Sequence, residues 1–489
     1  MLRQPALLVG TKIAAGVATK DVAKPIGTQA QADKEYGTGS ELAFMFRSFF
    51  ANNFAHEVWG LPVDEPVGAS AATGTITVAT AQTEAGVISL YIGGHKVPVT
   101  IGATDTTTQV ATKIASAING AVGTNILPVT ATAATATVTL TARTKGINGN
   151  DISVTHSYYG KVGGEELPVG MVLTLPATGQ LTGGAGIPIY DTAIANLGEQ
   201  EFEYVALPHT DSTTLLAWET EYGFSDTGRW GWMRQHFGHL FASKRDTYAN
   251  LITFGQSRNQ GVTSVMAVEL TSPSPQIEWT AAYCAKAARA LLNDPARPLQ
   301  TLSLNRILPA PINDLFIWQE LNSMAQNGLA TQKKGSDNQP MIARESTTYR
   351  LNLYSQPDDA YELVTTLATL ARLLRNQRHA ITSKFPRHKL ADDGTRFGPG
   401  QAIVTPNIIR AELVAQYRID EFNGLVENVR EFKNHLIVER DPNDPNRVNV
   451  LYPPDLVNQL RIFAVLAQFR LQYNRGQDLE VAATQGART

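Results

Sequence analysis

From Gly68 to Asn150 the only acidic residues are Glu84 and Asp105, and the stretch up to about Gly186 is rich in Ala, Thr, Gly and Val. On either side of it, short apolar runs alternate with amphipathic ones. Apolar and polar residues alternating with a period of two, separated by glycine turns, build antiparallel hairpins. Apolar runs separated by helices build parallel sheets. The expectation is therefore an open α/β sheet domain interrupted by an inserted β-rich module of α+β type.

The α/β part begins with Pro5 to Gly10, an all-apolar run ended by glycine and read as a strand buried on both faces. Ser40 is placed to cap a helix from Glu41 to about Asn52, with Leu42, Met45, Phe46 and Phe49 on one face. His56 to Leu61 reads as the second strand. In the module, strands are expected at Thr75–Val78, Val87–Ile92 and Val97–Ile101, with Gly93-Gly94 supplying the positive φ angles of a tight hairpin. A helix opened by Asp105 or Thr106 carries Val110, Ile114, Ala117 and Ile118 on one stripe. Val129–Thr132 and Ala136–Thr141 alternate again.

From Ile187 the α/β rhythm resumes. Strands are expected at Glu203–Leu207, Leu240–Ala242 and Val262–Val268, and helices at Thr213–Tyr222, Thr247–Ser257 and Glu278–Leu292. A C-terminal α+β domain starts near Ser346. It comprises a strand Thr347–Leu351, long helices over Asp358–Ile381 and Asn407–Lys433, and a small antiparallel sheet. The first helix has Tyr361, Val364, Leu367, Leu370 and Leu374 on one face. The sheet is built from Leu436–Glu439, a turn Asp441–Pro445, Arg447–Tyr452 and a final alternating run Ala467–Tyr473. The expected division is 1–67 with 187–345, 68–186, 346–473, and a polar tail 474–489.

With 489 residues, several domains are expected, and 43% apolar residues suffice for real cores. Charged residues are 17% and the net charge is −3, which argues against a general nucleic-acid binder. One cysteine, Cys284, rules out a disulfide framework within the chain. No run of about 18 apolar residues suggests a membrane-spanning helix. The opening MLRQPALLVGTK has no apolar core followed by a cleavage site, so the chain is expected to stay in the cytoplasm until assembled.

Catalytic signatures are missing. There is no G-x-x-x-x-G-K-[ST] phosphate loop and no G-x-S-x-G elbow. Gly37-Thr-Gly-Ser40 reads as a turn with a helix cap. His236 and His239 are three apart but lack a third ligand nearby, and Gly238 interrupts any helix there. Asp392-Asp393 beside Gly394 reads as a turn, and Cys284, among alanines, as a small buried thiol. No catalytic, metal or cofactor residue is expected, and an enzyme on the α/β domain would need a nucleophile and base that the sequence does not offer. One charge pattern stands out. From Val364 to Ala391 there is no acidic residue, while Arg372, Arg375, Arg378, Lys384, Arg387 and Lys389 are basic. Arg372, Arg375 and His379 recur at spacings of three and four, so they share a helix face. The run reads either as a solvated face or as a surface for an acidic partner.

Four stretches, in this order and spacing, carry a resemblance: Gly228–Thr247, Leu292–Leu304, Ile381–Pro406 and Gly424–Ala464. Together they resemble the contractile tail sheath proteins of Mu-like bacteriophages over nearly the whole chain. The resemblance implies a structural subunit rather than an enzyme, without cofactor. Such subunits stack as rings around a tail tube and shorten to drive it through the host envelope. It implies as partners other sheath subunits, the tail tube protein, and baseplate and tail terminator proteins, with no direct nucleic-acid contact and no membrane insertion. Assembly in the bacterial host cytoplasm into the virion tail is implied as well, and the inserted module is expected to protrude from the surface.

The family links subunits by strand exchange, in which an arm pairs with a neighbour's small sheet. Carried onto this chain, the linkage residues are Leu436, Val438, Val448, Val450 and Tyr452, with Phe469, Leu471 and Tyr473 in the final run. The family's extended arm before its first core strand has only Met1 to Gln4 as its counterpart ahead of Pro5, through a start site set downstream, trimming, or a different linkage; separately, the polar tail from Asn474 is a candidate arm given in return. The alternative function is a carbohydrate-binding or surface-exposed virion protein acting through the inserted module.

Overall fold

The computed structural model describes residues 3–467 except 122, 124 and 125. Strand β1 (Ala6–Lys12) is almost wholly buried. After the short β2 (Lys24–Pro25) come helix α1 (Gln29–Tyr36), helix α2 (Glu41–Asn52) and strand β3 (Val58–Asp64). Ser40 Oγ accepts from Ala43 N at 3.2 Å and opens α2 as a cap should. β3 runs parallel to β1 from Ala6↔Val58 to Lys12↔Asp64.

The chain then leaves this sheet. Strands β4 (Ala71–Thr80), β5 (Gly86–Ile92) and β6 (His95–Ile101) precede helix α3 (Thr107–Asn119). They are followed by β7 (Val129–Ala134), β8 (Thr137–Lys145), β9 (Val154–His156) and β10 (Val172–Thr174). These strands form two antiparallel sheets, ordered β10-β4-β8-β7 and β6-β5-β9. Gly93 and Gly94, at φ +55° and +76°, make the two-residue turn between β5 and β6. Thr106 and Gln109 form a reciprocal capping box at the start of α3. The apolar cluster of this region runs from Ala72 to Leu181 and draws on no residue outside it.

The path then returns. Helix α4 (Asp191–Asn196) leads to β11 (Tyr204–Ala206), which pairs with β1 on the side away from β3. Helix α5 (Ser212–Glu221), β12 (His239–Asp246), α6 (Tyr248–Gln256), β13 (Thr263–Glu269) and α7 (Gln276–Asn293) complete a sheet ordered β13-β12-β11-β1-β3-β2. All pairings are parallel except β2 with β3. Alternation along β1 sends Ala6 and Leu8 to one face, with α2 and α7, and Leu7 and Val9 to the other, with α4, α5 and α6. A sheet covered on both faces needs strands apolar throughout, and these are.

Helix α8 (Trp318–Gln326) and the hairpin β14 (Thr331–Lys334) with β15 (Pro340–Arg344) follow. Then come helix α9 (Val364–Lys384), the short pair β16 (Lys389–Leu390) and β17 (Ile403–Val404), helices α10 (Pro406–Phe422) and α11 (Val429–His435), and the hairpin β18 (Ile437–Arg440) and β19 (Val448–Leu451). A fourth apolar cluster joins α9, α10, α11 and this hairpin. The fold is mixed α/β and multidomain. Among the described residues, no helix is long and apolar enough to cross a membrane.

Three expected elements differ. Thr347–Leu351 is not a strand. Thr347 Oγ1 donates to Tyr361 O at 2.6 Å and Thr348 Oγ1 to Gln260 O at 3.0 Å, so buried hydroxyls satisfy the loop backbone in place of a ladder. Helix α9 begins at Val364, not Asp358, because Asp358 Oδ1 accepts from Ala360 N and closes a turn. The helix expected from Asn407 to Lys433 is two helices, broken where Gly424 and Asn428 take φ of +73° and +57°. Helix α1 and the β14–β15 hairpin had no counterpart in the sequence reading. Chain contacts separate Met1–Val457 from Asn458–Thr489, and the described residues 458–467 hold no regular secondary structure. The final alternating run, with Phe469, Leu471 and Tyr473, lies outside the described residues.

Candidate assembly surface

The β18–β19 hairpin is held at its turn by Asp441. Its N–H donates to Arg447 O at 2.9 Å, and its carboxylate accepts from Asn443 N, Asp444 N and Asn449 Nδ2. Those donors, Asn449 foremost, hold the Asp441 carboxyl below its ordinary value. The register pairs Val438 with Val450 and Arg440 with Val448. In an antiparallel ladder, hydrogen-bonded and non-bonded pairs alternate. With 441 and 447 bonded, the backbone groups of Val438, Arg440, Val448 and Val450 point outward, to the two edges. No described strand pairs with either edge.

Side chains anchor the hairpin from one face. Leu436 is buried, and Val438, Val448 and Tyr452 pack against the same cluster. Phe432 stacks on Tyr417 with centroids 3.8 Å apart, and Tyr452 meets Phe432 edge-on at 5.0 Å. Val450 is 42% exposed, and Ile437 and Leu451 lie open on the opposite face. Beside β19 is an open cleft of about 740 Å³ lined by Trp232, Ile381, Leu413, Val450 and Tyr452, among others. Arg447 lies over the Trp232 ring at 4.4 Å.

The basic run divides in two. Arg375 is buried, ion-paired with Glu203 at the head of β11, and donates to Phe237 O at 3.2 Å. Arg372 donates to Leu292 O at 2.9 Å, near the end of α7. Helical spacing did place these two on a common face, but that face of α9 turns toward the α/β sheet. Arg375 therefore does not belong to an exposed basic surface. Arg378, Lys384, Arg387 and Lys389 are exposed; Lys384 meets Glu412 at 2.5 Å and Lys389 reaches Gln401 Oε1 at 3.4 Å. Burial pushes the Glu203 carboxyl up, and Arg375 opposes the shift.

The residues that raised catalytic questions have structural roles. Asp393 Oδ1 accepts from Asn407 N at the start of α10, and Asp392 meets Arg440 at 3.0 Å. His236 lies 3.3 Å from Glu199 and 3.6 Å from Glu201, whereas His239 is buried against Phe241 and pushed down to about 3 by burial. Among the described residues, no group of three or more His, Cys, Asp or Glu could hold a metal. Cys284 is buried in the cluster under the sheet, which raises its thiol well above the ordinary value. One junction had no sequence signal. Asp151 accepts from the first amide of α7, Gln276 N, and pairs with buried Arg245 at 2.7 Å, tying the β4–β10 region to the end of the parallel sheet.

The fold and this surface define a mixed α/β, multidomain protein whose β18–β19 edges pair with no described strand. Residues 183–348 match the phage tail sheath protein central domain and 356–470 the phage tail sheath C-terminal domain. The chain is 40% identical over 465 residues to the Mu-like prophage FluMu tail sheath protein of Haemophilus influenzae, covering 95% of this chain and 92% of the relative. The chain belongs to the phage tail sheath family. Solved chains with a similar fold include a sheath tail protein of Listeria innocua, at 10% identity and TM-score 0.49 over 93% of this chain and 92% of the other. Another, from Desulfitobacterium hafniense, shows 11% identity and TM-score 0.46 over 93% and 97%.

Proposed function

We propose that this chain polymerises as stacked rings around a tail tube, and that the polymer shortens and widens to drive the tube through the host envelope. The reading assigns 1–67 with 187–345 to an outer α/β domain, 68–186 to a protruding module, and 346–473 to an inner domain against the tube. Baseplate and terminator proteins would meet the ends of the polymer. The observation that carries it is the hairpin β18–β19, which lies in the family's C-terminal domain and has two edges with no described partner. An isolated hairpin is marginal and accepts further strands. One edge is suited to this chain's final run and the other to an arm of a neighbour, the tail from Asn474 being the arm given in return.

At roughly 0.5–1.5 kcal/mol net per hydrogen bond, one added strand contributes only a few kcal/mol. A mesh repeats the link at every subunit, so it holds together while the domains move as rigid bodies.

The test uses proline. Val438→Pro or Val450→Pro removes an outward N–H and leaves the hairpin's own ladder intact. The wild-type chain is expected to form rings or tubes by electron microscopy, and each variant to fold but stay unassembled. Tubes of normal length from both variants, or a wild-type chain that stays monomeric at high concentration, refute the reading.

A further inference from the structure

Residues 351–357 form a closed, stiff loop. Asn352 N donates to Gln356 O at 2.9 Å, and Asn352 Oδ1 accepts from Tyr354 N at 2.9 Å and Gln356 N at 3.1 Å. Ser355 turns the chain with φ +58°. The base is clamped by Asn259, whose Oδ1 accepts from Arg350 N and Leu351 N and whose Nδ2 donates to Leu351 O. At the tip stand Leu353 and Tyr354, 101% and 84% exposed. A loop this well fixed, presenting a leucine and a tyrosine to water, pays little further backbone ordering entropy when they are buried, which is how interface anchors gain affinity. Just past the tip, Asp359 is exposed and has no cation partner among the described residues, whereas both oxygens of Asp358 are taken, by Tyr349 Oη at 2.5 Å and Ala360 N at 3.1 Å.

The complement lies elsewhere on the same chain. The cleft beside β19 is apolar, open and bordered by Trp232, Ile381 and Val450. On its rim stands Arg378, exposed and with no carboxylate partner among the described residues. An acidic apolar knob and a basic apolar socket on one chain, neither covered by the described residues, match in charge and in chemistry.

We propose that the Leu353–Tyr354 tip of one subunit seats in this cleft of a second copy, with Asp359 facing Arg378. The contact is head-to-tail, so it closes a ring or runs on as a helix. It rests on the sheath reading but is separate from strand exchange, since it uses side chains rather than strand edges.

Three experiments test it. The Leu353→Asp/Tyr354→Asp double variant changes only exposed side chains and is expected to fold as wild type by circular dichroism. It should need roughly a hundredfold more protein to assemble. Asp359→Lys should weaken assembly at low salt, and adding Arg378→Glu should restore it in part. Mild oxidation of mixed Leu353→Cys and Val450→Cys chains should give a disulfide-linked pair, and the same mixture with Ser116→Cys in place of Leu353→Cys should not. Unchanged assembly by the double aspartate variant overturns the contact and leaves the sheath reading standing. So does a cleft filled by the chain's own last residues, which would leave the cysteine pair unlinked. A wild-type chain that never assembles overturns both.

Discussion

Replacing Arg375 by methionine removes a guanidinium from the junction of α9 and β11 while keeping most of the side chain's bulk. Arg375 is 9% exposed and Glu203 5%. Once its partner is gone, Glu203 either stays ionised and alone or takes up a proton. Starting from the ordinary glutamate value of 4.5, protonation at pH 7 spans two and a half pH units, about 3.4 kcal/mol. That caps the penalty from the carboxylate. Loss of the bond to Phe237 O and of the contact over the Phe237 ring, 5.4 Å away, adds about 1 kcal/mol. The variant should therefore lose about 4 kcal/mol at pH 7, within the range for a broken buried pair.

The loss depends on pH with a definite sign. In the variant, Glu203's folded value lies above 4.5, so the stability of the protonated form is present below 4.5 and is lost as pH rises through the raised value. At pH 5 the cap falls to about 0.7 kcal/mol and the deficit to about 2 kcal/mol. Arg375→Met/Glu203→Gln should recover more than half of the loss at pH 7 and abolish the slope. Urea unfolding at pH 5 and pH 7, with amide exchange along β11 and α9 locating the change, measures this. A loss below about 1 kcal/mol at pH 7, or one equally large at pH 5, would show that the pair does not hold the junction. Loss of assembly with unfolding unchanged would return Arg375 to a partner-facing role.

Two further outcomes follow from buried carboxylates. Burial pushes Glu269 up to about 7, with Gln332 Nε2 donating to it at 2.7 Å. Its folded value exceeds 4.5, so the wild type loses stability as pH rises from 4.5 through 7; Glu269→Gln should flatten that part of the melting-temperature profile and be more stable above pH 7 by about 1–3 kcal/mol, and parallel profiles would contradict this. Asp151→Asn breaks the pairing with Arg245 and should cost about 2–4 kcal/mol, with faster amide exchange in residues 147–152 and the first turn of α7; unchanged exchange there would mean that Asp151 does not tie the two regions.

Much of the local structure was legible in the sequence because its causes lie within a few residues. Ser40 and Thr106 cap the helices they precede, Gly93-Gly94 makes the turn between β5 and β6, and Asp441 holds the turn between β18 and β19. The resemblance across the four quoted stretches pointed to the tail sheath family, to which the chain belongs. A period of two or of 3.6 is a property of neighbours in the chain, so it survives without the fold.

What the tertiary structure alone decided concerns partners far apart in sequence. Thr347 and Thr348 have the composition of a strand, yet Tyr361 and Gln260 take their hydroxyls and a loop results. Arg372 and Arg375 are indistinguishable in sequence from solvent-facing cations. They are interior ties because Leu292 O, Glu203 and Phe237 O lie where that face of α9 turns inward. Asp151 carried no signal in the sequence; its role comes from the start of α7 and Arg245, which the fold sets beside it. Periodicity fixes which residues share a face. What that face meets depends on packing, and a charge remains buried only where packing brings its partner to it.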